Sequence, residues 1–302
     1  MSRFDPTAIG SDIPRSRCQY LARKVALWIV GTLGLNRPSF LATEIVQQIH
    51  PVCSIPTRVG PLYCFGGHGR LRWRAQTFYT EEPETIKWLD GLQRDDVLWD
   101  IGSNVGLYAI YAARVAGCRV LAIEPEAQNY AMLLENITLN QVQGVVEAAN
   151  FAITSQFGVG RLHVHALTKG GAYNQFHLAN GSVALPDVDS NDAPLTQVQL
   201  GVSLDDLVLR FGFCRPTHLK IDVDGNEPEI IQGGVQGVLQ DPRCRSVLIE
   251  IQRGDPKHER IVEVLQGLGF RCVSQRSNWE SRQNRQRERE HPATNMVFLR
   301  QA

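Results

Sequence analysis

The stretch Val-Leu-Trp-Asp-Ile-Gly-Ser-Asn-Val-Gly, residues 97–106, decides the fold of this chain. It begins as an apolar run that ends in Asp100, and two glycines, Gly102 and Gly106, precede a segment with helical periodicity. Glycine tolerates positive φ and lets another backbone approach closely. A strand, a glycine turn and a helix N-terminus in this order form the nucleotide or nucleoside pocket of open α/β sheets. The stretch therefore predicts a ligand-binding α/β domain.

Strand and helix patterns alternate around this stretch. Apolar runs predict strands at 97–101, 119–124, 145–149, 217–222, 246–251, 270–274 and 295–299. Helical periodicity predicts helices at 83–91, 105–116, 126–140, 257–268 and from 226 onward. Such alternation is typical of a mainly parallel sheet with helices on both faces. We therefore expect an α/β fold with a seven-stranded sheet, spanning residues 81–302.

Three segments fall outside the alternation. Residues 1–80 are interpreted as a small N-terminal extension, with helical periodicity at 16–50 and glycine-punctuated hairpins at 55–78. Residues 160–203 are rich in β-forming residues and turn residues, which predicts an inserted hairpin. Residues 276–292 are polar and are interpreted as a solvated loop, with a mobile lid as the alternative.

Composition limits the class of partner. Lys+Arg and Asp+Glu both number 31, and this zero net charge argues against a nucleic-acid binder, which normally carries a basic excess. The seven cysteines are scattered without a Cys-x-x-Cys motif, which favours a reducing, cytoplasmic compartment over a disulfide framework or a zinc site. The longest apolar stretch, 25–35, is about half of a bilayer span. It predicts no transmembrane helix and leaves a peripheral membrane contact open.

Residues beside the glycine turn indicate the class of nucleoside. The Gly-x-x-x-Gly spacing of Gly102 and Gly106 lacks the third glycine of a dinucleotide fingerprint, and Asp100 would repel a pyrophosphate. A carboxylate there can instead attract an ammonium group or orient water near one. Glu124, at the end of the next predicted strand, can accept both hydroxyls of a ribose. S-adenosylmethionine offers both groups and is the predicted cofactor, with a tight turn that binds nothing as the alternative.

A short segment after the third predicted strand is the candidate adenine site. The backbone and side chains of Asn150, Phe151 and Ala152 can frame an adenine ring. For Phe151, packing in the core at a strand end is the alternative.

A second group of polar residues lies in the segment Leu-Lys-Ile-Asp-Val-Asp-Gly-Asn-Glu-Pro, residues 219–228. Asp222 ends a predicted strand, and Asp224 and Glu227 fall in the loop that opens the next helix. Three carboxylates this close repel one another unless a proton, a cation or hydrogen bonds compensate them. They are therefore candidate general bases, with a divalent cation left open. For Asp224 and Glu227, helix capping is the alternative.

Taken in order, these motifs resemble the FkbM-type family of S-adenosylmethionine-dependent methyltransferases. The matching segments are 81–85 (Glu-Glu-Pro-Glu-Thr), 100–108, 122–125 (Ala-Ile-Glu-Pro), 135–136, 139–140, 219–227 and 247–250. The resemblance implies a Rossmann-like methyltransferase sheet and O-methylation of a hydroxyl on a sugar, glycolipid or natural product. The acceptor would be a small molecule or a glycan, and the resemblance leaves the oligomeric state open.

The predicted site follows from the motifs and the resemblance together. The cofactor-binding residues are Asp100, Gly102, Ser103, Asn104, Gly106, Glu124, Pro125, Asn150, Phe151 and Ala152. The catalytic candidates are Asp222, Asp224 and Glu227, and no metal ligand is assigned.

Other functions remain as alternatives. A nicotinamide-dependent oxidoreductase is disfavoured by the missing third glycine and by Asp100. A non-catalytic cofactor-binding module is disfavoured by the intact acidic loop at 222–227. Methylation of RNA or protein is disfavoured by the zero net charge and by the lack of an Asn-Pro-Pro-Tyr-type motif.

Overall fold

The computed structural model describes residues 24–25, 28, 31–32, 50–67, 69–179, 195–277 and 293–301. Residues 24, 25, 28, 31 and 32 are helical, and the rest of the helical pattern predicted at 16–50, apart from residue 50, lies outside the described residues. Residues 278–292 of the predicted polar loop, with its alternative of a lid, also lie outside the described residues, and residues 276 and 277 belong to a strand.

The bounds of the elements are as follows. The strands are β1 (Val52–Ile55), β2 (Leu62–Phe65), β3 (Val97–Ile101), β4 (Arg119–Ile123), β5 (Val146–Ala149), β6 (Ala152–Ile153), β7 (Gly158–His163), β8 (Gln175–Leu178), β9 (Thr196–Val202), β10 (His218–Ile221), β11 (Ser246–Gln252), β12 (Phe270–Ser277) and β13 (Ala293–Arg300). The helices are α1 (Gly69–Thr77), α2 (Pro83–Leu89), α3 (Leu107–Val115), α4 (Ala127–Leu139), α5 (Leu204–Leu209), α6 (Glu227–Gln232) and α7 (Pro256–Gly267).

A seven-stranded sheet in the order β12-β13-β11-β10-β3-β4-β5 forms the centre of the described chain. The pairs from β11 to β5 are parallel, and β13 runs antiparallel to both β11 and β12. The predicted Rossmann-like α/β class is thereby confirmed. The chain winds from β3 towards β5 in one direction and from β10 towards β12 in the other. Ligands of open α/β sheets bind where the winding reverses, here beyond the carboxyl ends of β3 and β10.

Two hydrophobic cores cover the two faces of this sheet. Along β3, Leu98 belongs to one core and Trp99 to the other, as expected because successive side chains of a strand point to opposite faces. The first core packs helices α2, α3 and α4 and the β1–β2 hairpin. The second core packs helices α5, α6 and α7. Every residue of β3 is buried, which fixes the turn that follows it on a rigid support.

Between residues 50 and 80, where all but residue 68 are described, the structure has one hairpin where the sequence predicted several. Strands β1 and β2 pair antiparallel, but the second half of the predicted hairpin region is helix α1. The hairpin is joined to α4 by side-chain amides: Asn140 Oδ1 accepts from the backbone N–H of Tyr63 at 2.9 Å, and Asn136 Oδ1 accepts from that of Phe65 at 3.0 Å. These bonds place α1 beside the main sheet.

The predicted insertion contributes to a separate four-stranded sheet in the order β6-β9-β7-β8. Its strands begin two residues before the predicted boundary of 160, and residues 180–194 lie outside the described part. The short helix α5 at the end of the insertion was not predicted. Between β7 and β8 the chain folds back towards the main sheet, which brings the insertion to the candidate site.

Candidate active site

Two glycines hold the turn after β3 in conformations that other residues rarely adopt. Gly102 has φ +81° and Gly106 has φ +84°. A Cβ on Gly102 would overlap the backbone carbonyl of Asp222, and one on Gly106 would overlap Leu133. The amide of Gly102 donates to the carbonyl of Ile123 at 3.0 Å. The turn therefore requires glycine at both positions and draws the ends of β3, β4 and β10 together.

Glu124 fastens this turn from the neighbouring strand. Its Oε2 accepts from the amide of Asn104 at 2.9 Å, and its Oε1 accepts from the amide of Glu126 at 2.9 Å. Asn150 Nδ2 donates to the backbone carbonyl of Glu124 at 2.8 Å. Burial raises the pKa of Glu124 to about 7. Each carboxylate oxygen has a second lone pair, so the predicted bond to a ribose is compatible with these contacts.

A small cavity of about 320 Å³ lies beside the ends of β3 and β4. Its wall consists mainly of apolar groups and contains the carboxamides of Asn174 and Asn226. The lining residues are Ile101, Gly102, Ile123, Pro125, Phe151, Ala152, Ile153, Leu162, Asn174, Phe176, Val223 and Asn226. Apolar walls with a few polar groups are typical of sites for flat organic ligands. The predicted adenine residues Phe151 and Ala152 both face this cavity.

A larger cavity of about 680 Å³ shares Gly102 with the small one. Four carboxylates and two cationic side chains line it, together with aromatic groups. The lining residues are Trp73, Arg74, Thr77, Phe78, Glu81, Glu82, Gly102, Ser103, Asn104, Val105, Leu107, Tyr108, Ala172, Lys220, Asp222 and Asp224. The two cavities are thus neighbours at Gly102, and one is mainly apolar whereas the other is acidic.

Lys220 lies between two of the predicted carboxylates. Its Nζ is 2.9 Å from Asp222 Oδ2 and 3.7 Å from Asp100 Oδ1. Burial alone would lower the pKa of Lys220, but the carboxylates of Asp222, Asp100 and Glu82 outweigh it and raise that pKa. Asp100 is 1% exposed and does not line either cavity. An ammonium group does sit beside Asp100, as the sequence led us to expect, but it belongs to the protein.

The acidic loop after β10 separates the three catalytic candidates. Glu227 is 1% exposed, and its oxygens accept from the amides of Val223 at 3.1 Å and Gly225 at 2.9 Å. Burial raises its pKa to about 7. Glu227 lies behind the loop and lines neither cavity, and its side chain binds loop amides rather than capping α6, whose N-cap is Asn226. Asp222 and Asp224 both face the larger cavity.

Asp224 is held in place by the insertion. Its Oδ2 accepts from the amide of Tyr173 at 2.6 Å, and its φ of +60° lies in the left-handed region. Burial, and then the neighbouring charge of Asp222, raise the pKa of Asp224 to about 6. A carboxylate with such a pKa can accept a proton near neutral pH.

Residues 170–174 of the insertion, which we name the strap, form a wall of both cavities. Asn104 Nδ2 donates to the carbonyl of Gly171 at 2.6 Å, and Asn129 Oδ1 accepts from the amide of Gly170 at 2.8 Å. Ala172 lines the larger cavity and Asn174 lines the small one. The strap therefore depends on a predicted cofactor residue, Asn104, for its position.

Some residues of the larger cavity had no predicted role. Lys220 is a single charged residue inside a fully buried strand, and this contrast is a signal that the sequence offered. Glu82 belongs to a segment that carried the family resemblance, without a role. Its Oε2 accepts from Thr85 Oγ1 at 2.9 Å, and burial, then Asp222, raise its pKa to about 7. Arg74 is placed here by helix α1, which was not predicted.

Among the predicted site residues, the structure places Gly102, Ser103, Asn104, Pro125, Phe151, Ala152, Asp222 and Asp224 on the cavity walls. Asp100, Gly106, Glu124, Asn150 and Glu227 line neither cavity, although Glu124 stands between two residues that line the small one, Ile123 and Pro125. Within the described ranges, no group of three or more histidine, cysteine, aspartate or glutamate side chains is arranged to hold a metal ion. The open alternative of a divalent cation thus has no site there, and Lys220 supplies positive charge between the carboxylates.

Comparison with known proteins identifies the family. A match described as the methyltransferase FkbM domain covers residues 100–272, more than half of the chain. The chain belongs to the FkbM methyltransferase family. The resemblance inferred from the motifs is confirmed, and this FkbM-family protein is an S-adenosylmethionine-dependent methyltransferase.

Three curated relatives share a quarter or more of their aligned residues with this FkbM-family protein. Hexuronic acid methyltransferase AglP of Haloferax volcanii is 27% identical over 186 residues, covering 61% of this chain and 68% of that protein. The 31-O-demethyl-FK506 methyltransferase FkbM of Streptomyces tacrolimicus is 28% identical over 205 residues, covering 61% and 76%. Methyltransferase sdnD of Sordaria araneosa is 25% identical over 201 residues, covering 60% and 75%.

None of the helices within the described ranges is both long and apolar enough to cross a bilayer.

Proposed function

We propose that this protein is a cytoplasmic enzyme that transfers the methyl group of S-adenosylmethionine to a hydroxyl oxygen of a sugar or natural product. The observation that carries the proposal is that an apolar cavity and an acidic cavity share Gly102 as a lining residue. An adenosine and a charged amino acid have this same division of polarity. The scattered cysteines support a cytoplasmic location, since free thiols persist in reducing compartments.

The residues of the small cavity fit the nucleoside part of the cofactor. Phe151, Pro125 and Ala152 offer apolar surface to an adenine ring, and Asn174 offers a carboxamide at its edge. Glu124 has lone pairs to accept ribose hydroxyls, next to the glycine turn that its own bonds hold in place. The cavity lies at the reversal of strand order, where such ligands bind in open α/β sheets.

The residues of the larger cavity fit the charged part of the cofactor and the transfer step. When bound, S-adenosylmethionine supplies an activated methyl group on a positively charged sulfonium sulfur. The carboxylates around the cavity favour positive charge there. Asp222 accepts a 2.9 Å hydrogen bond from the ammonium group of Lys220. Asp224 carries no such cation and is therefore our general base, accepting the proton of the acceptor hydroxyl.

Precise positioning supplies the remaining part of the mechanism. Holding an acceptor oxygen in line with a transferable group replaces a collision between free molecules by a reaction within one complex. The strap contributes because it forms part of the wall of the site and bonds to both Asn104 and Asp224.

The nature of the acceptor is inferred from the cavity and from the relatives. The names of two relatives give a hexuronic acid and 31-O-demethyl-FK506 as the compounds that they methylate. Trp73 and Tyr108 offer aromatic surface in the larger cavity, and its carboxylates can accept hydrogen bonds from several hydroxyls. These features support a polyhydroxylated small molecule or glycan over a nucleic acid.

A methyl-transfer assay tests the proposal. The protein is incubated with isotopically labelled S-adenosylmethionine and a panel of neutral sugars, uronic acids and macrolides, and products are identified by mass spectrometry and NMR. We expect a label on oxygen for at least one acceptor, strongly reduced in the Asp224→Asn variant. Methyl transfer to nitrogen or carbon would contradict O-methylation. Tight cofactor binding without transfer to any acceptor would favour the non-catalytic module.

A further inference from the structure

Arg74 is a cation in the most acidic part of the site, close enough to Glu81 and Glu82 for its charge to act on both. It lies in the last turn of α1 and lines the larger cavity. Its Nε donates to the carbonyl of Gly170 in the strap at 3.2 Å, and it forms no ion pair with any residue that the structure describes. Guanidinium has five N–H donors in a planar fork that matches a carboxylate. The terminal nitrogens of Arg74 are therefore available to an anionic ligand.

Glu82 is a carboxylate of the same cavity, and it forms no ion pair with a cation that the structure describes. Its Oε2 accepts from Thr85 Oγ1, and its charge lies close enough to Lys220 and Asp222 to influence both. Among the other carboxylates near the turn, Asp100 and Asp222 are paired with Lys220, and Asp224 accepts from the strap. Glu81 also lines the cavity, but Glu82 is the one whose charge acts on Lys220 and Asp222 beside the turn. Glu82 is thus the carboxylate best placed to receive a positive group from a ligand.

A ligand that bears both charges would satisfy both residues. With its base in the small cavity, a nucleoside that crosses Gly102 enters the larger cavity with its far end towards α1 and α2. We infer that Arg74 binds the α-carboxylate of the cofactor's amino acid and that Glu82 binds its ammonium group. This inference rests on the proposed function, and it transfers to Glu82 the role that the sequence suggested for Asp100.

Calorimetric binding with three ligands separates the two contacts. S-adenosylmethionine has both charged groups, its decarboxylated form keeps only the amine, and methylthioadenosine lacks both. The variants are Arg74→Gln and Glu82→Gln, and the matched control is Arg72→Gln, because Arg72 is exposed on the same helix and does not line the cavity. Each affinity is compared with that of the wild type for the same ligand.

We expect Arg74→Gln to weaken the binding of S-adenosylmethionine about tenfold or more, since hydrogen bonds to charged groups contribute this much binding energy. The same variant should leave the other two ligands within about twofold. Glu82→Gln should weaken the binding of both amine-bearing ligands and leave the affinity for methylthioadenosine unchanged. Arg72→Gln should change none of them. If Glu82→Gln lowers the melting temperature strongly, Glu82→Asp, which keeps the charge, should bind the amines with intermediate affinity.

Other outcomes overturn the inference. Equal losses for all three ligands in Arg74→Gln would mean that Arg74 only supports the strap. Unchanged cofactor affinity with a raised KM for an acidic acceptor would mean that Arg74 binds the acceptor's carboxylate instead. If the wild type bound none of the three ligands, the proposed function itself would fail, which is a distinct result.

Discussion

Gly102 packs directly against the backbone carbonyl of Asp222, with no room for a side chain between them. This contact joins the turn after β3 to the acidic loop after β10. The proposed cofactor site and the proposed base are therefore parts of one rigid unit, and a change at Gly102 should disturb both.

We predict that Gly102→Ala abolishes measurable cofactor binding and destabilises the fold. Gly212→Ala is a matched control because Gly212 also has positive φ, +72°, but has open space around the position of a Cβ. The control should lose only the strain of an alanine in the left-handed region, about 1–2 kcal/mol. Urea unfolding and calorimetry measure the two effects. Similar losses of stability in both variants, with binding retained, would mean that the Gly102–Asp222 contact is unimportant.

We predict that Asp224→Asn lowers kcat by about 100-fold or more, as expected for loss of a general base. Cofactor affinity should stay within about threefold, since Asp224 is not assigned to the cofactor. Glu147→Gln, an exposed carboxylate on β5, is the control and should leave both quantities unchanged. Steady-state kinetics and calorimetry provide the measurements. If the Asp224→Asn variant turned over at the wild-type rate, a group other than Asp224 would have to be the general base.

The pH dependence of kcat/KM follows from the same assignment. A base must be ionised to accept a proton, and burial followed by Asp222 raises the pKa of Asp224 to about 6. The rate should therefore increase as pH rises through about 6 and then level off. The increase should disappear from the residual activity of Asp224→Asn. A rate that falls over this range would require a protonated acid in place of the base.

Buried carboxylates should also make the ligand-free protein less stable at alkaline pH. Burial raises the pKa values of Glu124 and Glu227 from 4.5 to about 7, so the folded protein holds protons that the unfolded chain has lost. Their stabilising contribution is complete below 4.5 and is lost as pH rises through about 7. Burial lowers the pKa of His218 from 6.5 to about 4, which has the opposite sign but acts below 6.5.

We therefore predict that the melting temperature falls between pH 6.5 and 8 in the absence of ligand. Glu227→Gln should reduce this slope because its side chain no longer titrates, and Glu147→Gln should preserve it. Calorimetric scans at fixed ionic strength are the measurement. A melting temperature that rises with pH over this range would mean that these carboxylates are ionised without cost in the folded state.

The small cavity yields a separate prediction. Phe151→Ala removes apolar surface from the adenine site. The substitution should weaken the binding of S-adenosylmethionine and of methylthioadenosine equally, by about 10- to 30-fold. Phe157, which is 40% exposed and does not line the cavity, is the matched control. Calorimetry with both ligands provides the measurement. Unchanged affinity in Phe151→Ala would mean that the adenine does not bind in this cavity.

The central strands and the glycine turn could be predicted because their signals are local. The apolar run of β3, Asp100 and the two glycines lie within ten consecutive residues, and helical periodicity follows at once. Helix α1 was wrongly predicted as part of a hairpin because glycines at 60, 66, 67 and 69 punctuate the region, and Leu71, Trp73 and Ala75 also alternate with polar residues, as in a half-buried strand. Only Leu71 of these is buried, so the alternation did not reflect a sheet face.

The partners of the site residues could not be predicted from local patterns. Asp100 and Lys220 lie on paired strands more than a hundred residues apart, so their ion pair depends on the sheet order. The strap comes from an insertion whose path back to Asn104 leaves no periodic signal. Arg74 reaches the site only because α1 is docked there. The sequence therefore indicates which strand ends meet, and the structure shows which charges compensate one another.

Both proposals require the two cavities that share Gly102 to hold one S-adenosyl cofactor. A crystal structure of the protein with S-adenosylhomocysteine is the decisive measurement. We expect electron density for the adenine beside Phe151, for the ribose at Glu124, and for the amino acid between Arg74 and Glu82. Density elsewhere on the protein, or the reverse orientation with the base in the acidic cavity, would show that the cofactor site is assigned wrongly.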